Sequence, residues 1–325
     1  MKNLVFCFDV GGSSSATALF DLLDHSDDQV AWYHCEPARR RRSESLDAAR
    51  SAIHDAYDFF VETWDPGDRV FVFGAGRGGY SAQAFARLLG TVGTLASTGS
   101  DLLDFVVDSY ALPRTPRTSE DWDRVAKLIV DLNGGVEVAV PVAFLGLWDA
   151  IRPTGLPAQP DSASANVVAG RHALAIEGGP LHRDVATTPQ DDVDRVWFRG
   201  VHCDVAGGPG ACKPLVGIAA DWMLEGAIAA GIRPAHGSLH APSAPAQADA
   251  LVGSARSVSR RKVPVDANVH ASVEVYLRAH PEYWRRLPAR VVWADQDWLA
   301  RGERLVAEIP TVSPAEHQEL AAAAS

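Results

Sequence analysis

Residues 70–89 read VFVFGAGRGGYSAQAFARLL: a buried strand, a glycine-rich turn and then a helix. Gly74, Gly76 and Gly78 alternate as G-x-G-x-G, which is the G-x-S-x-G spacing of a nucleophile elbow with glycine in the central place. An elbow needs small residues around its centre, because the strained turn brings its neighbours close to other strands. The central residue normally supplies the nucleophile, and Gly76 has no side chain to supply. Two other readings fit the same letters. Gly74 to Gly79 also match G-x-G-x-x-G, a phosphate-binding turn at a helix start, whose ribose-binding acid follows about 20 residues later. Asp101 lies near that distance, but in a stretch of helical pattern. In the third reading the glycines only permit a tight strand-to-helix crossing.

Outward from this unit, short continuously apolar runs alternate with longer amphipathic ones, as expected of a parallel sheet buried on both faces. Strands are expected at Leu4 to Asp9, Val30 to His34, Val70 to Phe73, Val136 to Trp148, Arg195 to Val201 and Arg290 to Trp293. Helices are expected over Ser45 to Trp64, Gly79 to Leu89, Leu102 to Tyr110, Ser119 to Leu132, Pro214 to Ala230 and Ala271 to Ala279. In the first of these, Leu46, Ala49, Ile53, Ala56, Tyr57 and Phe60 form one apolar stripe, and Asp65-Pro66-Gly67-Asp68 ends it. Residues 233–250 are rich in Ala, Pro, His and Ser without periodicity and read as a surface loop. The expected organisation is one α/β domain over residues 1–310, with loop insertions at about 37–44 and 233–250 and a tail at 311–325.

The 325 residues include 47% hydrophobic and 22% charged side chains, 41 acidic against 30 basic, for a net charge of −11. This excludes collagen, coiled coil and wholesale disorder, and offers no general attraction for nucleic acid or anionic lipid. An anionic ligand would need a local cluster, of which Arg39 to Arg42 is the dense example. Cys7, Cys35, Cys203 and Cys212 show no C-x-x-C spacing and read as reduced thiols in a cytoplasm. The apolar run Leu4 to Phe8 is too short for a signal-peptide core, and no stretch approaches the ~18 residues of a membrane span.

Ligand crevices in open α/β sheets lie at the carboxyl ends of the strands. Gly76, Asp149 and His202 all follow expected strands, so they should gather there, in the chain order turn, acid, histidine. Cys203 is expected to point away from the imidazole, as neighbours on a strand do. Ser81, one turn into the helix, and Ser13, Ser14 and Ser15, after the first strand, are the alternative nucleophiles. His172, His202, Asp204 and His270 are metal-ligand types but lack the spacing of a preformed zinc site, so neither metal nor cofactor is expected.

Further segments carry a resemblance. FGAGRGGYSAQAFARLLGTVG (73–93) resembles the G-F-S-R-G-A-Y-T-A-R segment of the α/β-hydrolase family that includes the phospholipase effectors of type VI secretion. FLGLWDA (144–150) resembles its F-x-G-V-W-D-T, NVVAGRHALAIEG (166–178) its R-H-A-L-A, VWFRGVHCDVAGG (196–208) its V-W-F-P-G-V-H-S-D-V-G-G, and VDANVHASV (265–273) its H-x-S-V. NLVFCFD (3–9) resembles its opening strand, which continues D-G-T. The resemblance implies an α/β-hydrolase-like fold, a mostly parallel sheet with helices on both faces, and activity on ester bonds of lipase or phospholipase type. It places the family's serine on Gly76, its acid on Asp149 and its histidine on His202; Asp204 with His270 is an alternative pairing of the same chain order. Asp9, Val10, Gly11 and Arg77 are the candidate oxyanion and ligand-binding residues. Since the serine is replaced by Gly76, the expectation is an enzyme weak or inactive by the Ser-Asp-His route, or a ligand-binding or scaffold protein holding an acyl or phospholipid ligand.

A rival reading comes from FDVGGSSSATALFD (8–21), which resembles the phosphate-1 segment of the actin-like sugar kinases and ATPases. It uses the loop Asp9-Val10-Gly11-Gly12 for phosphate, with ALFD as a second strand and Asp204 to Gly208 as the second phosphate loop.

Overall fold

The computed structural model describes residues 1–37, 42–94, 107–113, 115, 118–132, 139–153, 156, 166–178, 192–235 and 259–298. The opening apolar run forms β1 (Asn3–Val10), whose alternate residues feed two cores: Leu4, Phe6 and Phe8 pack on one face of the sheet, Val5 and Cys7 on the other. α1 (Ser15–Leu22) follows, capped by Ser14, whose hydroxyl accepts from the Ala16 N–H at 3.1 Å. The chain continues through β2 (Gln29–Glu36), α2 (Arg42–Thr63), β3 (Arg69–Ala75) and α3 (Arg77–Val92). A π-helical turn at Val107–Ala111 and α4 (Ser119–Leu132) lead to β4 (Val142–Trp148), β5 (Gly170–Ala175), the two-residue β6 (Glu177–Gly178) and β7 (Val193–Phe198). The last third holds α5 (His202–Ala206), α6 (Lys213–Ala229), β8 (Ser259–Arg260), β9 (Ala267–His270), α7 (Ala271–Ala279), a 3₁₀ turn at Pro281–Arg286 and β10 (Val291–Ala294).

Eight strands pair in the order β10-β9-β7-β5-β4-β3-β1-β2, every pairing parallel, while β6 and β8 form a small antiparallel ribbon. α2 and α3 cover one face, where Ile53, Phe60, Phe85 and Leu88 close over Phe6; the Phe6 and Phe85 rings lie 4.7 Å apart. α1 and α6 cover the other, where Leu19, Ile218, Trp222 and Met223 meet Phe71 and Phe73. This is the α/β-hydrolase-like arrangement expected, and because the eight strands run parallel their carboxyl ends lie along one edge of the sheet. β1 has β2 on one side and β3 on the other, so the winding reverses there, which is where such sheets open a ligand site.

Several expectations change. Ala18 to Asp21 lie in α1, not in a second strand, and β2 runs parallel to β1 rather than returning as a hairpin. That removes the strand meander the actin-like reading needs, and Asp204 sits in α5 rather than in a phosphate loop. β4 begins at Val142, with 139–141 outside it and 136–138 outside the described residues, and β7 ends at Phe198, so His202 and Cys203 open a helix instead of sharing a strand. β5 and β9 are strands the apolar pattern did not single out, since each is short and carries a histidine. Arg39 to Arg41, Asp101 to Val106, 236–250 and the tail 311–325 lie outside the described residues. Among the described residues no helix is long and apolar enough to cross a membrane.

Candidate active site

The turn after β3 has the geometry of an elbow. Gly76 adopts φ 57 and ψ −122, a left-handed backbone that favours glycine. It is stitched to the neighbouring strand end: Gly76 N–H donates to Trp148 O at 2.9 Å, and its own carbonyl accepts from Ile151 N–H at 2.8 Å. A β-carbon added at Gly78 would lie 2.4 Å from Phe8 O, so glycine there lets α3 press against β1.

Asp149 leaves β4 at φ 45, also left-handed, and its carboxyl group is wholly buried. Four donors meet it. Ala175 N–H reaches Oδ1 at 3.0 Å; Arg261 grips both oxygens, Nη1 on Oδ1 and Nη2 on Oδ2 at 2.8 Å; and His202 Nδ1 lies 2.7 Å from Oδ2. Burial would push this carboxyl up, but the Arg261 charge and the hydrogen bonds from His202 and Arg261 outweigh it and hold it well below the usual carboxylate range. An ionised Asp149 can only accept, so His202 donates to it through Nδ1 and turns Nε2 the other way. That nitrogen faces the elbow: a β-carbon built on Gly76 would stand 3.1 Å from Nε2 and 3.2 Å from Cε1.

The surroundings fix this pair. His172 is fully buried and accepts from Ala150 N–H at 3.2 Å through Nε2, steadying the turn that carries Asp149. Burial, aided by Arg195 and Arg261 and opposed by Asp149, pulls its imidazole down to about 3, so it stays neutral. Buried Glu177 accepts from Gly200 N–H, two residues before His202, and from Tyr283 OH at 2.6 Å.

The structure thus brings Gly76, Asp149 and His202 together, and it separates the other candidates from them. Asp204 caps backbone, accepting from Val201 N–H at 3.0 Å and Cys212 N–H at 2.8 Å. His270 caps α7 through Ser272 and bonds Asp295 Oδ2 at 3.1 Å, so the Asp204–His270 pairing does not form. Asp9 is tied down by Val10 N–H at 2.6 Å, Thr17 Oγ1 and Tyr33 OH at 3.0 Å. With Val10 N–H on Asp9 and Gly11 N–H on Glu36 O at 2.8 Å, both backbone donors of the expected oxyanion loop are engaged inside the protein. Arg77, next to Gly76, opens α3 and places its N–H at that helix's N-terminus. Ser14 and Ser15 serve backbone contacts, the latter donating to Val205 O at 3.2 Å, and Ser81 is buried in α3. Burial and then Asp204 push the Cys203 thiol up, away from thiolate chemistry. Among the described residues no three His, Cys, Asp or Glu side chains are placed to hold a metal.

Arg261 and Glu177 were not singled out by the sequence, and His172 was weighed only as a metal-ligand type. A buried aspartate at a strand end demands a cation. Nothing in the run Arg260-Arg261-Lys262, 112 residues away from Asp149, says which side chain answers that demand.

A family model described as the type VI secretion system phospholipase effector Tle1-like catalytic domain matches residues 2–226, more than half of the chain. An uncharacterised protein of Saccharomyces cerevisiae is 22% identical over 211 residues, covering 54% of this chain and 31% of its own. Two solved structures are similar. One is an uncharacterised protein from Pseudomonas aeruginosa (13% identity, TM-score 0.41, 72% of this chain and 46% of that one). The other is the Tle1 effector bound to the VgrG spike of a type VI secretion system (12% identity, TM-score 0.35, 64% of this chain and 51% of that one). The chain spans about half or less of the length of each of these proteins.

Proposed function

The chain belongs to the Tle1-like phospholipase effector catalytic-domain family, and from that premise we propose that its cleft recognises an acyl ester or phospholipid but forms no serine-linked intermediate. One observation carries this reading: the elbow presents only the Gly76 α-carbon to His202 Nε2, at the place where the resemblance puts the family's serine. Asp149 and His202 remain assembled beside it; of the serines the sequence offered, Ser14, Ser15 and Ser81 are engaged or buried, while Ser13 lies exposed in the loop after β1. The four cysteines are unpaired thiols, which fits a reducing compartment.

The test is covalent labelling. A fluorophosphonate that titrates activated serines should leave the wild-type protein unlabelled and should label Gly76→Ser. Lysophosphatidylcholine should bind the wild-type protein in calorimetry. Stoichiometric labelling of the wild type at any side chain would overturn the reading, as would the lack of any lysophospholipid binding.

A further inference from the structure

The Asp149–His202 pair is built to a standard that ligand binding alone does not require. Asp149 is held at a left-handed φ with no exposed surface, its charge is answered by a bidentate guanidinium, and the imidazole is thereby held through Nδ1 with Nε2 directed at the elbow. His202 itself keeps a fifth of its side chain exposed, so solvent reaches the ring. A general base needs this combination: fixed orientation, a fixed tautomer, and a lone pair turned to the place where a proton is given up.

We propose, building on the cleft reading above, that His202 activates water directly and that the protein hydrolyses carboxylic esters by addition of water and expulsion of the alcohol, with no covalent link to the protein and with Asp149 and Arg261 as positioning residues. Water bound between Nε2 and the ester carbonyl gives a proton to Nε2 while its oxygen bonds to the carbonyl carbon. The carbon–oxygen bond to the alcohol then breaks, and Nε2 returns the proton to the departing alkoxide. One water is consumed, and acid and alcohol are released without any acyl-enzyme. Gly76 is what makes the route sterically feasible: a β-carbon there would already stand 3.1 Å from Nε2, inside the approach of the attacking oxygen. Arg261 keeps Asp149 an anion in the absence of solvent, and so keeps the proton on Nδ1. The residue lies beyond the stretch matched by the family model, which ends at residue 226.

The experiment uses the full chain with p-nitrophenyl butyrate, and phosphatidylcholine vesicles as a second substrate. Wild-type hydrolysis should exceed that of His202→Gln by about 10²-fold, the ordinary worth of a general base. Asp149→Asn and Arg261→Met should lower kcat with KM little changed, and Arg261→Lys should recover part of the loss. Acid-quenched intact mass should show no acyl adduct during turnover, and product release should start without a burst. Thermal melts identify any variant that fails to fold, and His202→Gln and His202→Asn serve as independent checks. Equal rates for wild type and both folded His202 variants would overturn the proposal. If lysophosphatidylcholine still binds in that case, the cleft reading stands and only water activation falls. An acyl adduct on a side chain would overturn both.

Discussion

Two of the histidine–aspartate pairs among the described residues do opposite things. His202 and Asp149 meet at 2.7 Å at the carboxyl edge of the sheet; His270 and Asp295 meet at 3.1 Å beside the strands at its far end. In the first pair the aspartate is the more deeply committed partner, held by Arg261 and Ala175 N–H, and the imidazole turns its second nitrogen to Gly76. In the second the histidine is the committed partner. One ring nitrogen caps α7 through Ser272, the other faces Asp295, and the ring stacks on Phe198 at 4.7 Å with Trp298 edge-on. Identical residue types therefore become a pair that faces the elbow or a structural clip according to which member is immobilised by the rest of the fold.

The largest test of this contrast is to remove each acid. Asp149→Asn strands the buried Arg261 charge and should cost about 3–5 kcal/mol of stability, whereas Asp295→Asn takes the charge from its hydrogen bond with His270 and should cost about 1 kcal/mol. Guanidinium denaturation measures both, and equal losses would break the comparison. The pH dependence comes next. His172 and Asp149 both have folded-state values depressed below their ordinary ones, so each contributes stability at neutral pH that is lost on acidification. For His172 the loss runs from 6.5 down to about 3, as the unfolded chain takes up a proton that the folded one refuses. Over that window stability should fall by up to about 1.4 kcal/mol per pH unit, and His172→Gln should flatten the slope. A wild-type curve that is flat between those limits would contradict the buried neutral imidazole.

Smaller effects separate the two imidazoles. His270→Ala loses a helix cap and a buried ring contact and should cost about 2 kcal/mol while leaving lysophosphatidylcholine binding unchanged. Gly76→Ser places a side chain on a left-handed backbone against the His202 ring and should cost about 1–2 kcal/mol, a loss visible as a lower melting temperature. His202→Ala should be the mildest, within about 1 kcal/mol of wild type, because its ring is partly exposed and Asp149 keeps Arg261. If His202→Ala instead destabilised more than His270→Ala, the roles assigned to the pairs would be reversed.

The sheet was largely legible because its strands are continuously apolar: Leu4 to Phe8 and Val70 to Phe73 admit hardly any other reading, and Ser119 to Leu132 forms a helix over the span its periodicity implies. GRHALA, which forms β5, was not read as a strand because Arg171 and His172 interrupt its apolar run. ALFD was misread because four apolar-rich residues serve a helix as well as a strand. Within the site, Gly76, Asp149 and His202 were visible as strand-end residues in a telling order. The choice between His202 and His270 was not, since it turns on hydrogen-bond partners distant in the chain. Arg261 was invisible for the same reason: buried charge compensation is a property of three-dimensional proximity, and no periodicity announces it.

The grip of Arg261 on Asp149 also sets an order of assembly. β1 and β2 come together across a separation of 26 residues, while the Arg261–Asp149 contact closes 112, a difference of about 1 kcal/mol in loop-closure entropy alone. The centre of the sheet can therefore form while the chain is still young, but with the Asp149 charge met only by Ala175 N–H and His202. Only when residues 259–261 arrive is the guanidinium supplied, so the charge balance around Asp149 is completed late, by a part of the chain that the centre of the sheet does not need.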